Sequence, residues 1–517
     1  GDAAPAIGET VDDELDLLIP DERAHPVSLW PPMPTAVDTY RRRLEDMTAE
    51  AMEEYYLHSA GHKPTYEIAA VYERYADLTT LDQARALRTE GAPTELYRFA
   101  CEAYIGNGLR HLSEEIANAE AALVVEVDGE SVPYREVSPR LVNEPDGERR
   151  RRLYAARCAV TAERLNPLHE EAAMLQRHLT GHLDAGTVLE LYERCDYTPR
   201  ELREATNAFL DSTDDLYRRH VDRQLRRRVG VSLADAAPPD LARLWRAPEF
   251  DPAFAPERAL PALRATLAGL GVDLDAQPNV ELDIDARAGK VPRAFCAPVR
   301  VPGRVILVLL PQGGQDDYRA LFHEAGHTEH FAHMPAELPA EERVLGDNAV
   351  TEGFAFLFEH LLHDPHWLRA QMGADVPEYT AFSALYKLFL VRRYAAKLAY
   401  EIELHAGAPL AGLPARYAEL LSRAAGVAYP TTDYLNDVDD GFYCTCYLRA
   451  WALEAQLGDH LRTRFGNAWF ASPEAGTLLR ELWRLGQSLR AEPLLQAVAG
   501  TELDFGVLRI EAEAALG

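Results

Sequence analysis

Residues 321–333 read LFHEAGHTEHFAH. On an α-helix, side chains four apart leave the same face one turn apart, so His323 and His327 would present two imidazole nitrogens to one ion. That pair, with a carboxylate directly after the first histidine, suits Zn²⁺: two nitrogen ligands, and Glu324 placed to take a proton from a water held at the metal. H-E-x-x-H is short, and an exposed helix with two histidines would spell the same letters. The flanks favour a built site instead, because Ala320, Leu321, Phe322 and Ala325 give the helix an apolar side to bury.

A third ligand decides the class of site. His333 stands six residues after His327, as in the pattern H-E-x-x-H-x-x-G-x-x-H, but that pattern needs a glycine three residues after the second histidine to turn the chain. Here His330 occupies that place, and no glycine lies between His327 and His333. The alternative is a carboxylate on a following helix. In NAVTEGFAFLFEHLLHDP, Glu352 and Glu359 are seven apart and stack on one face among Phe354, Phe356, Leu357 and Phe358. Two carboxylates on an apolar helix are costly to bury unless something cationic compensates them. A zinc ion with its histidines would do so, with Glu352 as direct ligand and Glu359 hydrogen-bonded behind a ligand histidine.

The arrangement H-E-x-G-H-x-x-H, then a glutamate 25 residues after the second histidine and another seven further on, resembles the thimet oligopeptidase and oligopeptidase F group of zinc peptidases. His323, Glu324, Gly326, His327, His330, Glu352 and Glu359 fall on that pattern. AFCAPVRVPGRVILVLL before it is similar to that family's strand pair, and the likeness is strongest over residues 285–365. The resemblance implies a mainly α-helical, two-lobed protein with a deep central cleft, a small β-sheet beside the zinc helix, and one Zn²⁺ at the cleft floor. It implies hydrolysis of peptide bonds in short peptides, and places His330 beside Glu359 as support around the ligands. It also implies a late segment of hydrogen-bond donors to the reaction intermediate. Here that segment is DYLNDVDDGFYCTCYLRAW, with Tyr434, Tyr443 and Tyr447 but no histidine, a departure from the thimet-type pattern that leaves Tyr434 as the residue standing in for it. A phenol suits that work, since it donates without changing charge. An exopeptidase of the same superfamily, removing C-terminal residues, is the rival reading; Arg392, Arg393 or Arg449 would then grip the terminal carboxylate. A catalytically silent peptide-binding protein is the rival from another class.

The rest of the chain must position these residues. It has 517 residues, 47% hydrophobic and 26% charged, an ordinary water-soluble composition, with no unbroken apolar run near the roughly 18 residues of a membrane span. The net charge of −30, from 83 acidic and 53 basic side chains, repels nucleic-acid phosphates and anionic membranes. The arginine runs at 149–152 and 226–228 read as solvated helix faces. Six cysteines are too few for a disulfide scaffold and suit a reducing, cytoplasmic setting; Cys444 and Cys446 lack a second Cys/His pair and read as packing residues. The acidic first 22 residues do not read as a signal peptide.

Apolar residues recur at three- and four-residue spacing through most of the sequence, predicting helices. Two stretches break that pattern. ALVVEVDGESVPYREV carries an Asp128-Gly129 turn between β-branched runs and predicts a hairpin, and Arg293 to Leu310 predicts a strand pair around Pro302-Gly303. The proline-rich stretch 235–260 is the candidate boundary between a helical N-terminal region with its hairpin (1–235) and a catalytic region (236–517), the two forming one continuous fold.

Overall fold

The computed structural model describes residues 36–195, 198–291, 293–311, 313–373 and 377–517. The expectation for the acidic first residues therefore falls outside the described residues. The chain is mainly helical with two small sheets, as its periodicity predicts.

The N-terminal half opens with α1 (Ala36–Ser59) and the long α2 (Thr94–Ala122), which feeds strands β1 (Val124–Val127) and β2 (Glu130–Pro133). These pair antiparallel with Val127 opposite Glu130, and the two residues between, Asp128 and Gly129, both take positive φ, which closes a two-residue hairpin. Helix α3 (Gly147–Val160) packs on the hairpin and carries the first arginine run. That run is not a solvated face throughout: Arg150 is buried in an ion pair with Asp240 at 2.7 Å, so one member serves packing between elements. Helix α4 (Pro199–Arg228) ends in the second run.

The second sheet has the order β3-β5-β4, from β3 (Val280–Asp283), β4 (Phe295–Arg300) and β5 (Arg304–Val308). The expected strand pair is β4 and β5; β3, parallel to β5, is an addition. Central β5 is almost wholly buried, whereas β4 alternates. Its Phe295, Ala297 and Val299 join Met52 and Tyr56 of α1 on one face of the sheet. As an edge strand, β4 leaves one row of backbone groups unpaired.

Helix α5 (Gln315–His333) runs along the other side of this sheet. Gly313 and Gly314, both at positive φ, turn the chain into it, and Asp317 accepts the Gly313 N–H at 3.0 Å. Helix α6 (Asn348–Glu359) packs between α5 and α8 (Tyr443–Phe465), with α7 (Pro377–His405) beyond. The largest apolar core joins residues of α4 to these later helices and so runs across position 235. No described helix is long and apolar enough to cross a membrane.

Candidate metal centre

Close approach of α5 and α6 sets the site. A Cβ on Gly326 would lie 2.6 Å from the Ala355 Cα and from the Phe354 carbonyl, so only glycine lets the two backbones meet here. His323 and His327 leave α5 toward α6, and Glu352 leaves α6 toward them. Glu352 Oε2 lies 3.3 Å from His323 Nε2 and 3.7 Å from His327 Nε2. These are the three side chains that form a metal-competent group among the described residues. Ligand atoms held about 2.0–2.2 Å from a tetrahedral zinc sit roughly 3.3–3.6 Å from one another, which matches the spacing found.

The hydrogen bonds fix which atoms face inward. His323 Nδ1 donates to Glu359 Oε2 at 2.9 Å, and His327 Nδ1 donates to the Thr351 hydroxyl at 2.9 Å. Each ring then turns its Nε2 lone pair toward Glu352. The Tyr443 hydroxyl donates to Glu352 Oε1 at 2.7 Å, whereas Oε2 is buried with no hydrogen-bond donor. Two nitrogen lone pairs and one unsatisfied carboxylate oxygen therefore converge on one point. A buried acceptor left this way is expensive, and a cation is what satisfies it. The donor set of two imidazoles and a carboxylate fits zinc.

Charge around the point agrees. Glu324, Glu352 and Glu359 gather against one nearby guanidinium, Arg319, which gives both Nε (3.0 Å) and Nη2 (2.7 Å) to Glu359 Oε1. Burial would lift Glu359, but Arg319 and His323 more than offset it and hold the carboxyl well below its ordinary range. Burial also works against a charged His323, yet Glu352 and Glu359 outweigh it and push that imidazole up to about 10. His327, with burial and His323 both against its charge, is pushed down to about 4. The pocket is thus built to hold positive charge between carboxylates.

Glu324 does not join the ligands. Its Oε2 accepts the Cys296 N–H of β4 at 2.9 Å, and burial lifts its carboxyl above the usual value, against the pull of His323 and that N–H. The second-helix residue Glu359 is found behind His323, at hydrogen-bonding distance. Tyr447 packs edge-on to Tyr443 at 5.1 Å between ring centroids and against Phe356 at 5.9 Å; its hydroxyl has no hydrogen-bond partner among the described residues.

Two residues are not brought to the centre. Tyr434 is buried in another cluster, where its hydroxyl donates to Glu170 and its carbonyl accepts from Tyr400. It has the right residue type, but the loop that carries it faces α7 and the N-terminal half. His330 is fully buried; its Nε2 lies 3.2 Å from the Gly486 carbonyl and its ring packs on Phe354, so it touches neither Glu359 nor a ligand. At three residues past His327 it leaves the helix on the core side. His333 lies against its own helix, with Nδ1 donating to the Glu329 carbonyl at 2.8 Å.

Four supporting groups escaped the sequence reading: Thr351 behind His327, Arg319 behind Glu359, the Cys296 N–H on Glu324, and Asp347. Asp347 caps α6, accepting from Ala349 N–H, and is gripped by Arg449 of α8 at 2.8 and 2.5 Å. That rivet sets the distance between Tyr443 and Glu352. A signal for it existed, since an Asp just before the helix start is an N-cap pattern; its partner across the fold had none. Arg449 also holds Glu492, Arg392 is spent on Leu210, Thr213 and Asp214, and Arg393 on Asp437. The three arginines proposed for gripping a terminal carboxylate are thus committed elsewhere.

No protein-family model matches the chain, and no curated protein matches it.

Proposed function

We propose that this protein is a zinc peptidase that hydrolyses bonds within short peptides. The observation that carries the reading is the convergence of His323 Nε2, His327 Nε2 and the donor-less Glu352 Oε2 beside a carboxylate, Glu324, that is not a ligand. Bound there, zinc would act as a Lewis acid on the peptide carbonyl and make water more acidic.

The chain's own groups divide the remaining work. Glu324 takes the proton from the attacking water and passes it to the leaving amine, and its raised affinity for a proton suits it to both transfers. Tyr443, hydrogen-bonded to Glu352, holds that ligand in place. Tyr447, with a free hydroxyl next to it, donates to the oxygen that gains charge in the transition state. Glu359 and Thr351 fix the two imidazole rings. The open edge of β4, which already reaches Glu324 through Cys296, aligns an extended substrate by backbone hydrogen bonds.

The side chains of His323 and His327 are only 14% and 12% exposed, so the site is recessed and favours a flexible peptide over a folded surface. The likeness to the thimet and oligopeptidase F group points the same way. Commitment of Arg392, Arg393 and Arg449 to internal partners favours cleavage within the peptide over removal of C-terminal residues. All six cysteines are free thiols, in keeping with a cytoplasmic setting. The test is mass spectrometry of products from a mixed peptide pool with zinc-loaded protein. Internal cuts are expected; loss of one or two C-terminal residues only, or no cuts at all, would overturn the reading.

A further inference from the structure

A cavity of about 220 Å³ lies alongside the edge strand, a few residues from the metal centre. Its walls include Met52 of α1, Pro298 of β4, Phe331 of α5, and Val344 and Leu345 of the segment before α6. Phe331 stacks on the ligand His327 at 6.2 Å, and Asn348, also in the lining, is one helical turn before Glu352 on α6. The cavity therefore belongs to the same groove as the site. It falls below the roughly 300–1,000 Å³ of a pocket for a whole small molecule, and is sized for a single side chain.

Its polar lining is already satisfied from within. Arg343 donates to the Leu338 and Val301 carbonyls and pairs with Glu45 at 2.6 Å. Arg300 pairs with Asp46 at 3.0 Å, the Thr48 hydroxyl donates to the Glu45 carbonyl, and Asn348 and Gln487 bond each other at 3.3 Å. With no unspent charge, the cavity gains most from an apolar side chain and would strip water from a charged one without compensation.

Position along β4 says which substrate residue enters. Cys296 donates its N–H to Glu324 and so marks the level of the bond to be cut. The cavity is lined by residues 298–301, two and more residues further along the strand. A substrate paired antiparallel, the commoner arrangement, runs toward its own N-terminus in that direction, one residue per strand residue. Pro298 suits the edge, since it has no N–H to leave unpaired there.

Resting on the peptidase reading, we propose that this cavity is a specificity pocket for a large apolar side chain (Leu, Met or Phe) at the second or third residue before the cut bond. Selectivity then lies upstream of the cleavage point, not at it. The test uses quenched peptides varied one position at a time, cleaved by zinc-loaded wild type and by Val344→Trp and Met52→Trp, which fill the cavity from opposite walls at half-buried positions. Binding of the same peptides to Glu324→Gln protein is followed by fluorescence anisotropy, and thermal melts check folding.

Wild type is expected to favour Leu or Phe over Gly or Asp at those positions by about 10-fold or more in kcat/KM, with the same order in binding. Both tryptophan variants should lose that preference while still cutting peptides with Gly there. Selectivity confined to residues after the cut bond, or selectivity unchanged in both folded variants, would overturn the pocket alone. Peptides that bind with the stated preference but are never cut would sustain the pocket and overturn the peptidase reading.

Discussion

The two tyrosines at the start of α8 separate under one perturbation, loss of the hydroxyl. Tyr443 donates to Glu352 Oε1 at 2.7 Å in a buried setting, and a hydrogen bond to a charged acceptor contributes about 1.5–3 kcal/mol. That bond holds the ligand oxygen toward the two histidines. At about 1.4 kcal/mol per tenfold, Tyr443→Phe should weaken zinc binding roughly 10- to 100-fold, with turnover largely restored once zinc is saturating. Tyr447 has no such bond. Tyr447→Phe should leave zinc affinity unchanged and lower kcat about 10²- to 10³-fold, the loss typical of one oxyanion donor. The assay pairs chelator-competition measurements of zinc affinity with turnover of a quenched peptide at saturating zinc. A Tyr443→Phe protein with wild-type zinc affinity but a hundredfold loss of kcat would refute this division and make Tyr443 the oxyanion donor.

Other expectations follow from neighbouring contacts. Glu359→Gln keeps an acceptor for His323 but removes the charge opposite Arg319; zinc affinity should fall about 10- to 100-fold, and zinc-free stability by about 3 kcal/mol, read by chelator competition and urea unfolding. Gly326→Ala forces a methyl against Ala355 and Phe354. It should cost about 1–3 kcal/mol and weaken zinc binding by moving His327 away from Glu352; an unchanged melting temperature would contradict the close approach. Glu401 is fully buried, its carboxyl pushed up to about 8, chiefly by burial, from an ordinary 4.5. Between those values the folded chain keeps a proton that the unfolded chain releases, so stability should fall as pH rises, by up to about 4 kcal/mol from about pH 5 to 8. Glu401→Gln should flatten that slope in urea unfolding; an equally steep slope would assign it to other groups.

The parts of the site legible in the sequence were those fixed by spacing within one helix. His323, Glu324 and His327 follow from 3.6-residue geometry, and Glu352 and Glu359 from the oddity of two carboxylates on an apolar helix. The hairpin and the β4–β5 pair were equally local, announced by Asp128-Gly129 and by β-branched runs around Pro302-Gly303. Contacts between elements distant in sequence were not legible. Arg319 reaches Glu359, Asp347 is gripped by Arg449, and Cys296 bonds Glu324 only because helices and strand pack as they do. The same limit explains His330 and Tyr434, whose residue types suited the site while packing turned them elsewhere. It also hid β3, a four-residue strand whose partner lies more than twenty residues downstream.

The central claim is that Glu324 serves as base beside a zinc held by His323, His327 and Glu352. It is tested most directly by turnover of the Glu324→Gln protein at zinc content matched to wild type. Gln keeps size and hydrogen-bonding capacity but cannot accept the proton, and loss of a general base typically costs about 10²- to 10⁴-fold. The expected result is full zinc occupancy with at least a 100-fold loss in peptide cleavage; cleavage at the wild-type rate would contradict the mechanism at its root.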